Sequence, residues 1–445
     1  MRPLTLCSFL ATVLAGCRQP AHALQGDPAA QREDLEAFRR DFLAIDHSYS
    51  GPARTRAEAR LRSLEASAGV LSNTQFVLAL SQIVALADNG HTTMMYRGDA
   101  PDLGRVGVRL VPFGQEFFVV RAVAAHADLL GGRLVAIDGA PIAQLRDSAR
   151  TLTGGIPAWR DRMAPAFLES PGQLRALGMS RSSTSATYRF ELRDGRMVDA
   201  VLARVEPIAS DQYGPVGAID PDTPEGWRAL LPPANAPWAL RDFDEPFRRR
   251  DAPELDAIVI QLHRNFDASN QSIAAFLAAS DSMRRAMGRR NVVLDMRFNG
   301  GGDLQTTREF MSDLPERIGP DGRVFVLTSP WTFSAAISST GYLKQAGGER
   351  VVLVGEAPGD RLQFWAEGRP VVLPRSGAYV QYATQRHDYL TGCRPFTDCH
   401  RYMVRYPIAV KSLAPDVAAP WTLESYAAGR DPAMEAVLQQ ARSKR

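Results

Sequence analysis

Apolar positions between residues 31 and 87 recur three and four apart. Leu35, Phe38, Phe42 and Ile45 form one such set, Leu61 and Leu64 a second, and Phe76, Leu80, Ile83 and Val84 a third. This spacing gathers apolar side chains on one helical face and predicts a helical region that ends near Asp88-Asn89-Gly90. His91-Thr92-Thr93-Met94-Met95-Tyr96 follows and is predicted to start a strand. The pattern then changes to short apolar runs. Val106–Val111 and Phe117–Ala125 read as strands, and Leu134–Ile137 leads through the tight turn Asp138-Gly139 into a helix start at Ile142. Tyr188–Leu192 and Met197–Ala203 flank Asp194-Gly195 as a hairpin. Residues 206 to 251 are rich in Pro, Trp and Asp and lack periodicity, which predicts an insert or linker. From Ala257 onward, apolar strands (Ala257–Leu262, Val292–Leu294, Arg323–Leu327, Arg350–Val354) alternate with helical patterns (Ser272–Met287, Ala335–Gln345). This alternation predicts an α/β core. Val371–Leu373 and Tyr379–Thr384 read as further strands, and Ala433–Ala441 as a last helix.

Composition adds limits. The 445 residues are 45% hydrophobic and 23% charged with a net charge of +3, which suits a soluble globular chain of two or three domains. No basic stripe with interleaved aromatics occurs, so nucleic acid is excluded as a partner. Arg248-Arg249-Arg250 reads as a solvated loop or a weak site for acidic groups. Met1-Arg2, the apolar run Leu4–Leu14 and the small residues after it read as a secretory signal, too short to span a bilayer. Leu14-Ala15-Gly16-Cys17 resembles a bacterial lipobox, which implies a membrane tether through Cys17; Ala21-His22-Ala23 is a competing, ordinary cleavage site. The expected location is therefore the periplasm or, as an anchored lipoprotein, a bacterial membrane surface. Of four cysteines, Cys7 and Cys17 fall in or beside the leader. Cys393 and Cys399 share a loop and, in an oxidising compartment, read as a disulfide. The rival, a metal site of Cys393, Cys399 and His400, matches no common zinc spacing.

The candidate chemistry starts at Ser334. It lies where the Arg323–Leu327 strand turns into a helix, so its hydroxyl can project from the turn beside free helical N–H groups. The alternative is a helix N-cap, which serine at such a point also satisfies. Upstream, Asp295-Met296-Arg297-Phe298-Asn299-Gly300-Gly301-Gly302 follows an apolar strand. Its glycines lack the Lys-Ser/Thr of a phosphate loop and the spacing of a dinucleotide fold. They suit an oxyanion hole instead.

These stretches in order, with Trp331-Thr332-Phe333-Ser334-Ala335-Ala336 and Val354-Gly355-Glu356, resemble the C-terminal-processing (tail-specific) serine peptidase family, which includes the tricorn core and the interphotoreceptor retinoid-binding protein repeats. The resemblance implies an α/β, crotonase-like (Clp-protease-like) core with Ser334 as nucleophile and an oxyanion hole from the N–H groups of Gly301 and Ala335. Leu86–Thr92 resembles the family's Asp-x-x-His-Thr element, which implies His91 as general base; the alternative is a histidine closing a helix end. Leu134, Ile137, Gly139 and Pro141 resemble the turn of a PDZ-like segment, in a peptide-binding or a structural role. Glu356 matches an acidic residue that would support the histidine, unless it is a surface carboxylate. Gly90 replaces a serine of the tricorn-like branch. The lysine base of the tail-processing branch is absent from Glu356–Leu362, and arginine cannot replace it; Lys344 lies about three turns beyond Ser334 on the helix and should point away. His263, at the end of a core strand, is the rival base.

The expected domains are a signal peptide over 1–23, an N-terminal helical region over 24–98, a PDZ-like β-rich domain over 99–205, an insert over 206–252 and the peptidase core over 253–445. The expected activity is hydrolysis of peptides or unstructured protein by a Ser/His acyl-enzyme route without cofactor or metal. A catalytically silent peptide or apolar-ligand binder of the same fold, and an esterase using the same site, are the alternatives.

Overall fold

The computed structural model describes residues 27–96 and 103–442, so the predicted leader with Cys7 and Cys17 lies outside the described residues. In the second half of the chain, six strands form one sheet: β1 (Phe247–Ala252), β2 (Ala257–Leu262), β3 (Asn291–Asp295), β4 (Val324–Thr328), β5 (Val351–Gly355) and β6 (Val417–Ala418). They lie side by side in chain order. β2 to β6 are parallel, and β1 is antiparallel at the edge. Helices α1 (Ile273–Ala286), α2 (Gln305–Arg317) and α3 (Ala335–Gly347) make the crossovers, and α4 (Pro432–Arg442) closes the chain.

Alternation along the strands sorts the core into two layers. Ile258, Ile260 and Leu262 of β2 pack with Phe276 and Leu277 of α1, Met311 and Leu314 of α2 and Leu343 of α3. Ala257 and Val259 face the other way, onto a layer with Val293, Phe325 and Val437 of α4. Strands buried on both faces are apolar along most of their length, with Gln261, Asp295 and Thr328 near their ends the buried exceptions, which is why they read as runs.

The predicted helical start is present as Pro28–Ala37, Gly51–Ala66 and Asn73–Val84. It docks on the C-terminal part of the chain. Thr93–Met95 pairs antiparallel with Tyr379–Gln381, and the Asn89 amide both donates to Trp365 O (3.0 Å) and accepts from Trp365 N (3.1 Å). The middle of the chain forms a separate antiparallel sheet, including the hairpin Ser185–Glu191/Met197–Ala203 and the tight turn at Asp138 and Gly139, both at positive φ.

The 206–252 segment departs from its expected character. Trp227–Ala229 adds a strand to the middle sheet, and Phe247–Ala252 is the edge strand of the core sheet. The arginine run is therefore not a solvated loop. Arg249 lies over the Phe276 ring and Arg248 and Arg250 over Trp238. Charged residues suit an edge strand, where they discourage pairing with another chain, and this charge hid the strand from a hydrophobic pattern. Cys393 and Cys399 are disulfide-bonded.

Candidate active site

Ser334 has φ 55° and ψ −125°, a conformation that costs a non-glycine residue about 1–3 kcal/mol. The turn before it is held on both sides. Thr332 Oγ1 donates to Met296 O (2.8 Å), Ser329 N donates back to Thr332 Oγ1 (3.0 Å), and Phe333 N donates to Asn299 O (3.0 Å). The Ser334 side chain accepts no N–H from α3, so it does not act as the helix cap. The Ala335 N–H donates to none of the described residues.

Gly301 lies directly beneath the serine. Its φ is +102°, and a Cβ there would stand 2.5 Å from Ser334 Cβ and 3.0 Å from Ala335 N. Only glycine permits this approach. The Gly301 N–H, however, donates to Asn299 Oδ1 at 2.9 Å. Asn299 is itself fixed by Nδ2 donating to Asn265 Oδ1 (2.9 Å). Of the two expected oxyanion donors, Ala335 is open and Gly301 is engaged by its neighbour.

His91 is brought from the N-terminal region against the residue preceding Ser334. Its ring lies between Phe333 (centroids 4.4 Å) and Phe364 (5.0 Å). The stack continues in both directions: Trp159 on Phe333 at 4.2 Å, His387 on Phe364 at 5.0 Å and His400 on His387 at 5.3 Å. Six rings thus form one column. Gly90 makes room for it, since a Cβ there would meet the Phe333 ring at 2.9 Å; the serine of the tricorn-like branch does not fit this arrangement. His91 Nδ1 stands 3.6 Å from Asp360 Oδ2. Neither ring nitrogen of His91 makes a hydrogen bond, so none links it to Ser334 in this state.

Glu356 is placed elsewhere than beside the histidine. Its carboxylate accepts from Arg162 Nη2 at 3.2 and 3.3 Å. The carboxylate facing His91 is the fully buried one of Asp360. No motif marks Asp360; its only signal is its place in the loop after β5. His263, the rival base, is enclosed by Phe243 and Phe298 (4.9 and 6.0 Å) with Nδ1 3.0 Å from Phe243 O. Burial lowers its pKa to about 4. Lys344 Nζ donates to Val351 O (2.7 Å) and pairs with Asp416, away from the serine.

A cavity of about 380 Å³ opens beside the His91 and Phe333 rings. Its lining is largely apolar and includes Met94, Leu152, Trp159 and Phe167. Trp159 comes from the short helix Pro157–Met163 of the middle region, so all three parts of the chain meet here.

No family model matches the chain, and no curated protein matches it. Solved structures do. Mature CPAF complexed with lactacystin superposes with a TM-score of 0.58 at 12% identity over 93% of this chain and 98% of that one. Mature CPAF alone gives 0.58 at 13% identity over 93% and 97%. The photosystem II D1 C-terminal processing protease covers 92% and 97% at 15% identity with a TM-score of 0.41. The chain shares the fold of mature CPAF along nearly its whole length.

Proposed function

We propose that this chain is an exported serine peptidase of the tail-specific/tricorn-like type, with a crotonase-like core and a PDZ-like middle domain. Support comes first from Ser334, held at a strained turn beside an unengaged helical N–H and over a glycine that no other residue can replace. The resemblance of the surrounding motifs and the fold shared with mature CPAF point the same way. Export accords with the leader pattern and with the Cys393–Cys399 bond; no helix among the described residues is long and apolar enough to cross a membrane.

In the proposed reaction, substrate binding closes the gap between His91 and Ser334. The imidazole takes the hydroxyl proton as Ser334 Oγ attacks the scissile carbonyl carbon. The Ala335 N–H stabilises the oxyanion, joined by Gly301 when its N–H turns from Asn299 to the stronger, charged acceptor. His91 then protonates the leaving amine, and water repeats the sequence to release the acyl group. Asp360 takes the orienting role expected of Glu356. The cavity beside His91 would receive a bulky apolar side chain of the peptide.

Ser334→Ala should abolish peptide hydrolysis with the fold intact, and a fluorophosphonate probe should label wild type at Ser334 alone. One observation favours a second reading, a silent ligand binder: the absent Ser334–His91 hydrogen bond. Failure of the probe to react with the wild-type chain would select that reading.

A further inference from the structure

At the far end of the ring column stand three groups that the proposed hydrolysis does not use. Glu367, His387 and His400 each offer one ligand atom, and these atoms all lie within 4.8 Å of one another. We propose that Glu367, His387 and His400 form a binding site for a divalent transition-metal ion of the zinc class, set into the wall of the cavity beside His91.

The local structure presents these groups together. Gln363–Ala366 and Gln385–Asp388 pair antiparallel with Phe364 opposite His387 and Ala366 opposite Gln385, so Glu367 just follows the first strand while His387 lies on the second. Glu367 has φ +58°, which turns it out of the strand. The disulfide loop supplies the third member: Arg386 N donates to Asp398 O (2.7 Å) and His400 N donates to Arg386 O (3.0 Å). The bonded cysteines are therefore not ligands, but they anchor the residue that is.

Three further observations point to an ion. First, His400 Nδ1 is buried and has no hydrogen-bond partner, an unusual state for a polar atom in a native fold. Second, His387 Nε2 faces Glu367 Oε1 at 3.0 Å, while Nδ1 stands 2.9 Å from Tyr389 Oη. Tyr389 Oη lies in turn 2.6 Å from Ser338 Oγ. Metal-binding histidines are oriented in this way by a partner on the other ring nitrogen. With Nδ1–H donating to Tyr389, the Nε2 lone pair and the carboxylate converge on one point, where a cation satisfies both. Third, the donor set of two imidazoles and one carboxylate suits Zn²⁺ and leaves a fourth position open. Bonds of about 2.0–2.1 Å bring tetrahedral ligand atoms to roughly 3.4 Å apart. The half-exposed Glu367 carboxylate can make the small adjustment this requires, while His387 is packed in place. Glu367 also lines the cavity, so the ion would sit at its wall.

The test is titration of the purified, disulfide-intact chain with Cys7 and Cys17 replaced by serine, with Zn²⁺ by calorimetry and with Co²⁺ by visible spectroscopy, after thiol assay shows no free cysteine. We expect one ion per chain and the d–d bands of four-coordinate Co²⁺. His400→Ala and Glu367→Gln should each weaken binding at least about tenfold, with unfolding midpoints of the metal-free proteins unchanged. Glu367→Gln guards against a folding defect in the histidine variant, because its side chain is 38% exposed. Absence of stoichiometric binding, or equal affinity in wild type and Glu367→Gln, overturns the proposal. Neither result bears on Ser334, so this site and the peptidase reading fail independently.

Discussion

At the residue scale, the two groups most visible in the sequence were Ser334 and His91, because each sits in a motif whose order is distinctive. Asp360 was not visible: a lone acid in a loop has no pattern, and what it faces is a ring 269 positions earlier in the chain, at His91. Glu356 carried the motif but meets Arg162. Asp360→Asn should therefore lower kcat by at least about tenfold with little change in KM, whereas Glu356→Gln should leave kcat within about threefold; steady-state kinetics on one peptide separates the two. His263 makes a different prediction. Its folded pKa is about 4, against about 6.5 in an unfolded chain. Between these values the unfolded state binds more protons, so stability is full above pH 6.5 and falls as pH drops towards 4. The loss is on the order of 2–3 kcal/mol. Urea unfolding across that window should show a shallower pH slope for His263→Gln; equal slopes would refute the assignment.

At the element scale, the β3 glycine loop and the start of α3 act as one unit. Phe333 N on Asn299 O and Gly301 under Ser334 hold them together. Gly301→Ala should push the serine out of position and reduce kcat by about a hundredfold or more, while chemical unfolding shows a stable core. An unchanged kcat would mean that the close approach is not needed for catalysis. The parallel strands and their crossover helices were legible as runs and periods. The edge strand Phe247–Ala252 was not, because its register partner β2 buries the backbone while its side chains carry charge. Nor could the sequence reveal that Asn299 engages the Gly301 N–H, since both residues fit an oxyanion loop equally well as letters.

At the scale of the whole molecule, the cavity exists only because three regions converge. Met94 arrives with the N-terminal region, Leu152 and Trp159 with the middle region and Phe333 with the core. The motif resemblance already implied that His91 of the first region faces Ser334 of the core, but no sequence pattern brings the middle region to the same place, and the meeting depends on contacts such as Thr93–Met95 with Tyr379–Gln381. If the cavity selects the substrate, Leu152→Glu should lower kcat/KM for peptides with a bulky apolar side chain at least about tenfold and favour basic ones. A peptide library read by mass spectrometry would measure this, and an unaltered preference would move the selectivity elsewhere. The ring column has a consequence for motion. The phenyl groups of Phe333 and Phe364 are clasped on both faces by Trp159, His91 and His387, so neither can rotate about its axis until the pile parts. Their aromatic NMR signals, slow to average, would then serve as a clock for how often the pile of rings beside the serine loosens.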